Sequence, residues 1–413
     1  MSHACRHCGA SLQCDVIDLG HQPPSNAYLT EEKLSLPEVT FPLRVYVCTS
    51  CWLVQLPMHA PADELFTADY AYFSSTSVTW CQHAERFVQG AVERLSLGPE
   101  SLVVEVASND GYLLQYVKAL GIPCLGIEPT HATAEAARAK GIETIEQFFG
   151  GQLAEDLVSQ GLRADLLVAN NVLAHVPDIN DFLGAIAVLL SPSGLASIEF
   201  PHLLRLLDGN QFDTIYHEHY SYLSLTTLVR MAEAAGLMVF DAEQLTTHGG
   251  SLRVWLARSG ERAACSQGIK ERDAVSVVLS EETIAGLETL DAYAHCQARA
   301  LDAKFALMEY LLAARRSGQC VLAYGAAAKG NTLINFAGIR SDLLPAVADR
   351  APSKVGKWLP GSHIPVVSVE DLLARGPDEL LVLPWNLAKE VKSQLSRSIA
   401  IPIKVAIPFL KEI

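Results

Sequence analysis

Five stretches of this chain have residue types and spacings that could do chemistry. Cys5-Arg6-His7-Cys8 and Cys48-Thr49-Ser50-Cys51 form two C-x-x-C knuckles. Each can aim two thiolates at one tetrahedral ion, and a four-thiolate site keeps no open position, so the predicted role is structural zinc on Cys5, Cys8, Cys48 and Cys51. His3 or His7 could replace one thiolate. Val103-Val104-Glu105-Val106-Ala107-Ser108-Asn109-Asp110-Gly111 breaks from a β-rich run into a small-residue loop, the pattern that seats a nucleotide-like cofactor. Tyr216-His217-Glu218-His219, inside the aromatic run from Phe212 to Tyr222, gathers the groups of general acid–base chemistry. It is not H-E-x-x-H, and an extended chain would point His217 and His219 oppositely, which disfavours a shared metal. A buried, hydrogen-bonded corner is the structural alternative. Lastly, Gly325-Ala326-Ala327-Ala328-Lys329-Gly330-Asn331 makes a second strand–glycine–helix turn, which could cradle a pyrophosphate or simply pack tightly with Lys329 in solvent. Its lysine precedes the second glycine, so it is not a Walker loop.

The elements needed to position these groups are legible. Strand and helix patterns alternate after the central loop: helix 112–120, strand 124–127, helix 132–140, a short strand near 142–145, helix 153–160 and a buried strand 164–170. Parallel α/β is the economical interpretation. Asn170 and Asn171 then lie at the carboxyl edge where open sheets bind ligands, His175 follows, and strand 195–200 delivers Glu199 and His202 to the same edge. Glu128 ends the second strand, where an acid can take ribose hydroxyls. Ser224 caps a helix that Gly236 ends, and strands near Val239 and 252–257 flank Thr247-His248-Gly249-Gly250 as a hairpin finishing the sheet. Residues 266–317 read as a helical connector without visible chemistry. Strands near 321–324, 346–348, 380–383 and 404–407 make a smaller α/β unit.

The chain has 413 residues, half of them hydrophobic, and a formal net charge of −15. That length predicts two or three domains, and the acidity argues against a nucleic-acid partner. No apolar run suggests a membrane span or signal core, so a cytoplasmic enzyme is expected, with thiols rather than disulfides. The division expected is 1–62, 63–258 and 259–413. The aromatic stretch with Phe66, Tyr70, Tyr72 and Phe73 either cements the first two units or places a tyrosine hydroxyl over a ligand.

The E-x-A-S-N-D-G run followed by Ile127-Glu128-Pro129 resembles the cofactor motif of class I S-adenosylmethionine methyltransferases. Absent dinucleotide glycines weaken the alternative of a nicotinamide-dependent sugar-nucleotide oxidoreductase. With the knuckles, the S-N-D-G loop, the Tyr216–His219 loop and Y-G-A-A-A-K-G in this order, nearly the whole chain resembles the three-domain sugar C-methyltransferases of deoxysugar biosynthesis. The resemblance implies an α/β protein with an N-terminal zinc-binding module, a central Rossmann-like methyltransferase sheet, and a smaller C-terminal Rossmann-like domain that helps hold a dTDP- or GDP-linked 4-keto sugar methylated at C-3. It places Glu105, Ala107, Asn109, Gly111, Glu128 and Asn170 at the cofactor. Tyr324, Gly325, Lys329 and Asn331 are expected at the nucleotide sugar; the resemblance puts His219, Glu218, His175 and Tyr72 at the reacting centre, and Tyr216 beside them could orient the base or stabilise an enolate. Where many members carry glycine, this chain has Ala107. A base is needed because a C–H beside a ketone is a weak acid, and donors must hold the enolate oxygen; His219 is the expected base. O- or N-methylation of a nucleotide sugar or other metabolite, or a non-catalytic interaction module, are the competing expectations.

Overall fold

The computed structural model describes residues 3–59, 73–260, 273–395 and 400–413. Tyr72, with Phe66 and Tyr70, lies outside the described residues. In the N-terminal module, β1 (Cys14–Gln22), β2 (Phe41–Val47) and β3 (Val54–Gln55) pair antiparallel, and Ser221–Tyr222 adds a fourth strand beside β3. One strand of this sheet is therefore donated by the chain that follows the central loop region. Both knuckles close the same way. Gly9 N–H donates to the Cys5 carbonyl and Trp52 N–H to the Cys48 carbonyl, and both Gly9 and Trp52 adopt positive φ immediately after the second cysteine.

The central domain starts with α1 (Val78–Leu95), whose Ser77 cap accepts from Trp80 N–H. Its strands are β4 (Val103–Val106), β5 (Cys124–Ile127), β6 (Glu143–Ile145), β7 (Ala164–Asn170) and β8 (Leu190–Pro201), then β9, the Ser221–Tyr222 strand, and the hairpin β10 (Leu237–Leu245) and β11 (Ser251–Arg258). The seven-stranded sheet runs β10-β11-β8-β7-β4-β5-β6. Five strands are parallel, and the hairpin joins antiparallel to β8. β4 is buried on both faces, as an interior parallel strand must be. The chain leaves β4 for β5 on one side and returns to β7 on the other, which opens the crevice at their carboxyl ends.

One local expectation is corrected. The helix after the central loop does not begin at Tyr112; α2 spans Leu114–Ala119. Asn109 and Gly111 sit at φ 49° and 73°, a left-handed conformation that cannot continue into a helix, so residues 108–113 form turns instead. Ser224 and Gly236 do bound the helix expected between them, α3 (Leu225–Ala234).

The connector is two pieces with different allegiances. α4 (Asp273–Ile284) packs Val275, Val278 and Leu279 into the central core, although the division at 258/259 places it in the C-terminal unit. Its buried Glu282 takes His202 Nε2 at 2.7 Å and the free N–H groups of Leu225 and Thr226, capping α3 from outside. The chain there carries a capping role that periodicity does not reveal. α5 (Cys296–Arg316) packs with the C-terminal sheet and with β1. That sheet comprises β12 (Val321–Tyr324), β13 (Val347–Ala348), β14 (Val366–Val367), β15 (Glu379–Val382), β16 (Ile403–Val405) and β17 (Lys411–Glu412), with α6 (Ala328–Ala337) after β12. Its order is β14-β13-β12-β15-β16-β17, parallel but for β17. β12 and β15 thus flank a second switch point. Among the described residues, no helix is long and apolar enough to cross a membrane.

Candidate functional site

The four knuckle cysteines converge. Cys5 Sγ lies 3.5 Å from Cys51 Sγ, and Cys8 Sγ 3.5 Å from Cys48 Sγ. All four sulfurs fall within 4.8 Å of one another. Thiolates at about 2.3 Å from one tetrahedral ion stand about 3.8 Å apart, so this set fits zinc. Gln55 Nε2 donates to Cys5 Sγ at 3.1 Å, a contact that orients and favours the thiolate. His7 is instead bound to Asn180, and His3 faces the Tyr46 ring, so neither takes a thiolate's place. The zinc half of the module packs in the central core, while β1 and β2 pack with the C-terminal unit.

At the central switch point, Ala107, Asn109 and Gly111 all have positive φ. Asparagine and glycine tolerate that region; alanine pays a steric cost there. A Cβ on Gly111 would stand 2.4 Å from Ile142 Cδ1, so glycine is required by both conformation and space. Glu128 organises the loop: its oxygens accept the N–H groups of Asn109 and Thr130, both at 2.9 Å. A carboxylate oxygen has a further lone pair, so the side chain can hold the loop and still accept ribose hydroxyls. Around this loop several buried polar atoms have no protein partner: Glu105 Oε2, Ser108 Oγ and both amide atoms of Asn170. Burial pushes the Glu105 carboxyl well above the usual range, which favours its protonated form. Such orphaned groups at a carboxyl edge fit a polar ligand seated against them. The loop is also tied from outside, as Asn109 Oδ1 accepts Ser74 N–H at 2.8 Å and Asp110 takes the Ser75 hydroxyl. Ser74 and Ser75 carry no sequence signal for this.

Beside that edge the Tyr216–His219 turn closes over His175. His219 Nδ1 lies 2.8 Å from the Thr214 carbonyl and His175 Nδ1 2.9 Å from the Glu218 carbonyl. A carbonyl only accepts, so each Nδ1 carries the proton and Nε2 is the basic nitrogen. The His219 ring centroid is 4.6 Å from that of His175 and 4.0 Å from that of Tyr216. Burial, with His175 beside it, holds His219 well below the ordinary imidazole range, and burial lowers His175 to about 4. The same surroundings favour the neutral imidazole of His219 over the imidazolium. His217 turns away, its Nε2 against the Phe41 carbonyl of β2 at 3.3 Å. The two histidines share no site.

Three side chains at this chamber escape the sequence reading. Asn26 Nδ2 contacts both Glu218 oxygens, at 2.8 and 2.9 Å. Its Pro23-Pro24-Ser25-Asn26 context signals only a turn. His248, lowered to about 4 by burial and Lys329, bonds Asn171 and lies edge-on to Trp80. The Thr247–Gly250 break is its only signal. Asp213, raised to about 6 by burial against the opposing pull of Lys329, accepts the Trp385 indole N–H at 2.8 Å.

The C-terminal turn is built differently from the central loop. A Cβ on Gly325 would meet Pro384 Cδ at 2.4 Å, and one on Gly330 would meet Leu383 Cβ at 2.7 Å. Both glycines are therefore required by packing against the end of β15, a role the anion-cradle expectation does not include. Asn331 is fully buried, with Nδ2 3.4 Å from the Ser25 carbonyl, and Tyr324 is buried at the end of β12. Lys329 reaches Asn386 at 2.9 Å and lies over the Trp385 ring. It is the member of this group that faces the chamber, since its charge is felt by Asp213, His219 and His248.

Comparison with known proteins gives a consistent picture. Residues 5–66 match the family model described as "Putative zinc binding domain", residues 80–241 a "Methyltransferase domain" and residues 246–409 a "C-methyltransferase C-terminal domain". The C-methyltransferase NovU of Streptomyces niveus is 35% identical over 387 residues, covering 94% of this chain and 90% of the relative. A ubiquinone biosynthesis O-methyltransferase of Methylobacterium sp. (strain 4-46) is 26% identical over 182 residues, 39% of this chain and 71% of the relative. Among solved structures, an S-adenosylmethionine-dependent methyltransferase of Clostridium acetobutylicum overlays on 43% of this chain and 92% of its own, with 11% identity and a TM-score of 0.36.

Proposed function

The chain belongs to the three-domain, S-adenosylmethionine-dependent C-methyltransferases that carry an N-terminal zinc-binding module, and from that premise we propose that it methylates C-3 of a nucleotide-linked 4-keto deoxysugar, on dTDP or GDP, through an enolate. The carrying observation is the packed trio of His219, His175 and Tyr216 beside Glu218, with His219 and Glu218 buried and both histidines oriented by backbone carbonyls. His219 Nε2 would take the C-3 proton. A donor to the developing enolate oxygen would carry part of the barrier lowering, and Tyr216 can serve; the one N–H of neutral His175 is taken by the Glu218 carbonyl, so His175 would act through its basic Nε2. Glu218 would orient the substrate or balance the imidazolium that forms. Bound S-adenosylmethionine would supply an electrophilic methyl group. On this chain the 107–111 loop, Glu105, Glu128 and Asn170 would hold it, and Lys329 with the turn after β12 would bind the substrate diphosphate. We place the enzyme in the cytoplasm on its acidic composition.

The test is methyl-labelled S-adenosylmethionine against a panel of dTDP- and GDP-linked 4-keto sugars, with product position read by NMR. Label at C-3 is the expected result. Label on an oxygen or nitrogen, or transfer to none of the 4-keto sugars, removes this reading.

A further inference from the structure

A loop of the zinc-bearing module enters the chamber from outside the central domain. Asn26 carries its amide nitrogen to within 2.9 Å of both Glu218 oxygens. Glu218 is buried, and charge-assisted bonds to a buried carboxylate fix its direction strongly. The C-terminal unit pins the loop on both sides of Asn26. Leu29 and Trp358 exchange backbone bonds at 2.9 Å, the Tyr28 hydroxyl donates to the Ala326 carbonyl, and the Ser25 carbonyl accepts from Asn331 Nδ2 at 3.4 Å. From the same helix, Thr332 Oγ1 donates to the Ile215 carbonyl at 3.0 Å, within the turn region that bears Glu218. The C-terminal unit thus braces both the loop that carries Asn26 and the turn that carries Glu218.

We propose that Asn26 is a positioning residue that holds Glu218 in its working orientation, so that the zinc-bearing module completes the active site rather than only stabilising the protein. The inference rests on Glu218 taking part in the reaction. A residue that merely fastened domains would not need its amide on both carboxylate oxygens; hydrogen bonds from the neighbouring Ser25 and Tyr28 already fasten the loop.

The experiment is a double-mutant cycle on the full-length, zinc-loaded enzyme, using the acceptor that the native chain methylates. Asn26→Ala is expected to lower kcat about 10-fold or more, with both Michaelis constants nearly unchanged. Asn26→Asp keeps the volume but sets carboxylate against carboxylate, and is expected to fall below Asn26→Ala. A packing role would reverse that order. On a Glu218→Gln background, where no carboxylate needs orienting, Asn26→Ala should cost less than about two-fold. Native kcat in Asn26→Ala, or its full loss retained on the Glu218→Gln background, overturns the inference and leaves the role of Glu218 standing. Native turnover in Glu218→Gln removes both.

Discussion

The turns after β4 and after β12 have the same local grammar, a buried strand breaking into small residues and then a helix, yet their surroundings differ. At the central loop, polar atoms of Glu105, Ser108 and Asn170 are buried without protein partners, and Glu128 holds the backbone open with its carboxylate. At the C-terminal turn, Gly325 and Gly330 are pressed against Pro384 and Leu383, and Lys329 is held by Asn386 and the Trp385 ring. A glycine-rich turn therefore marks close approach, and whether a ligand or a side chain makes that approach is decided by the neighbouring strand.

Acid should break the arrangement between the two turns most broadly. His175, His217 and His248 are lowered to about 4 by burial, and His219 is also held well below the ordinary imidazole range. In the unfolded chain they take up protons near the ordinary pKa of about 6.5, so the folded state binds fewer protons below that value. Their stability contribution is present above about pH 6.5 and is lost as pH falls toward 4; Asp213, raised to about 6, and Glu105, also raised by burial, offset part of this. Denaturant midpoints should fall steeply between pH 7 and pH 5, and midpoints independent of pH would mean that the histidines are solvated.

His219→Asn tests whether chemistry lies between the two turns rather than at either. Methyl transfer should drop by about 10²-fold or more while both ligands still bind. Near-native turnover would pass the role of base to His175, since His217 is turned onto β2. Glu128→Ala separates the two turns directly. It should weaken S-adenosylmethionine binding about 10-fold by calorimetry, because it loses a ribose acceptor and frees the Asn109 backbone, and leave nucleotide-sugar affinity intact. Equal loss of both ligands would point to a folding defect. Lys329→Ala sharpens the other side, with a rise of about several-fold in KM for the nucleotide sugar and unchanged cofactor affinity as the expected signature. An unchanged KM would leave the C-terminal turn with packing alone.

The smallest effect belongs to Ala107. Glycine there would relieve the left-handed strain at φ 52° and is expected to stabilise the fold by about 0.5–1 kcal/mol, read as a small rise in Tm. No change in Tm would show that the loop relaxes around the methyl group.

Local pattern alone determined much of this protein. The cysteine pairs specify a metal knuckle because thiolate geometry is short-range, and strand–helix alternation specifies two parallel sheets because each element must bury one face. The T-H-G-G break, the Glu128 position and the Tyr216–His219 cluster are equally visible in the chain. Tertiary structure alone decided the rest. Asn26 meets Glu218 and α4 brings Glu282 to cap α3 through contacts between residues far apart in the chain, and although alternation already pointed His217 and His219 apart, only the fold sets Phe41 against His217. The proton affinity of each buried histidine also follows from what surrounds it, since desolvation is a property of the assembled core and is carried by no residue by itself.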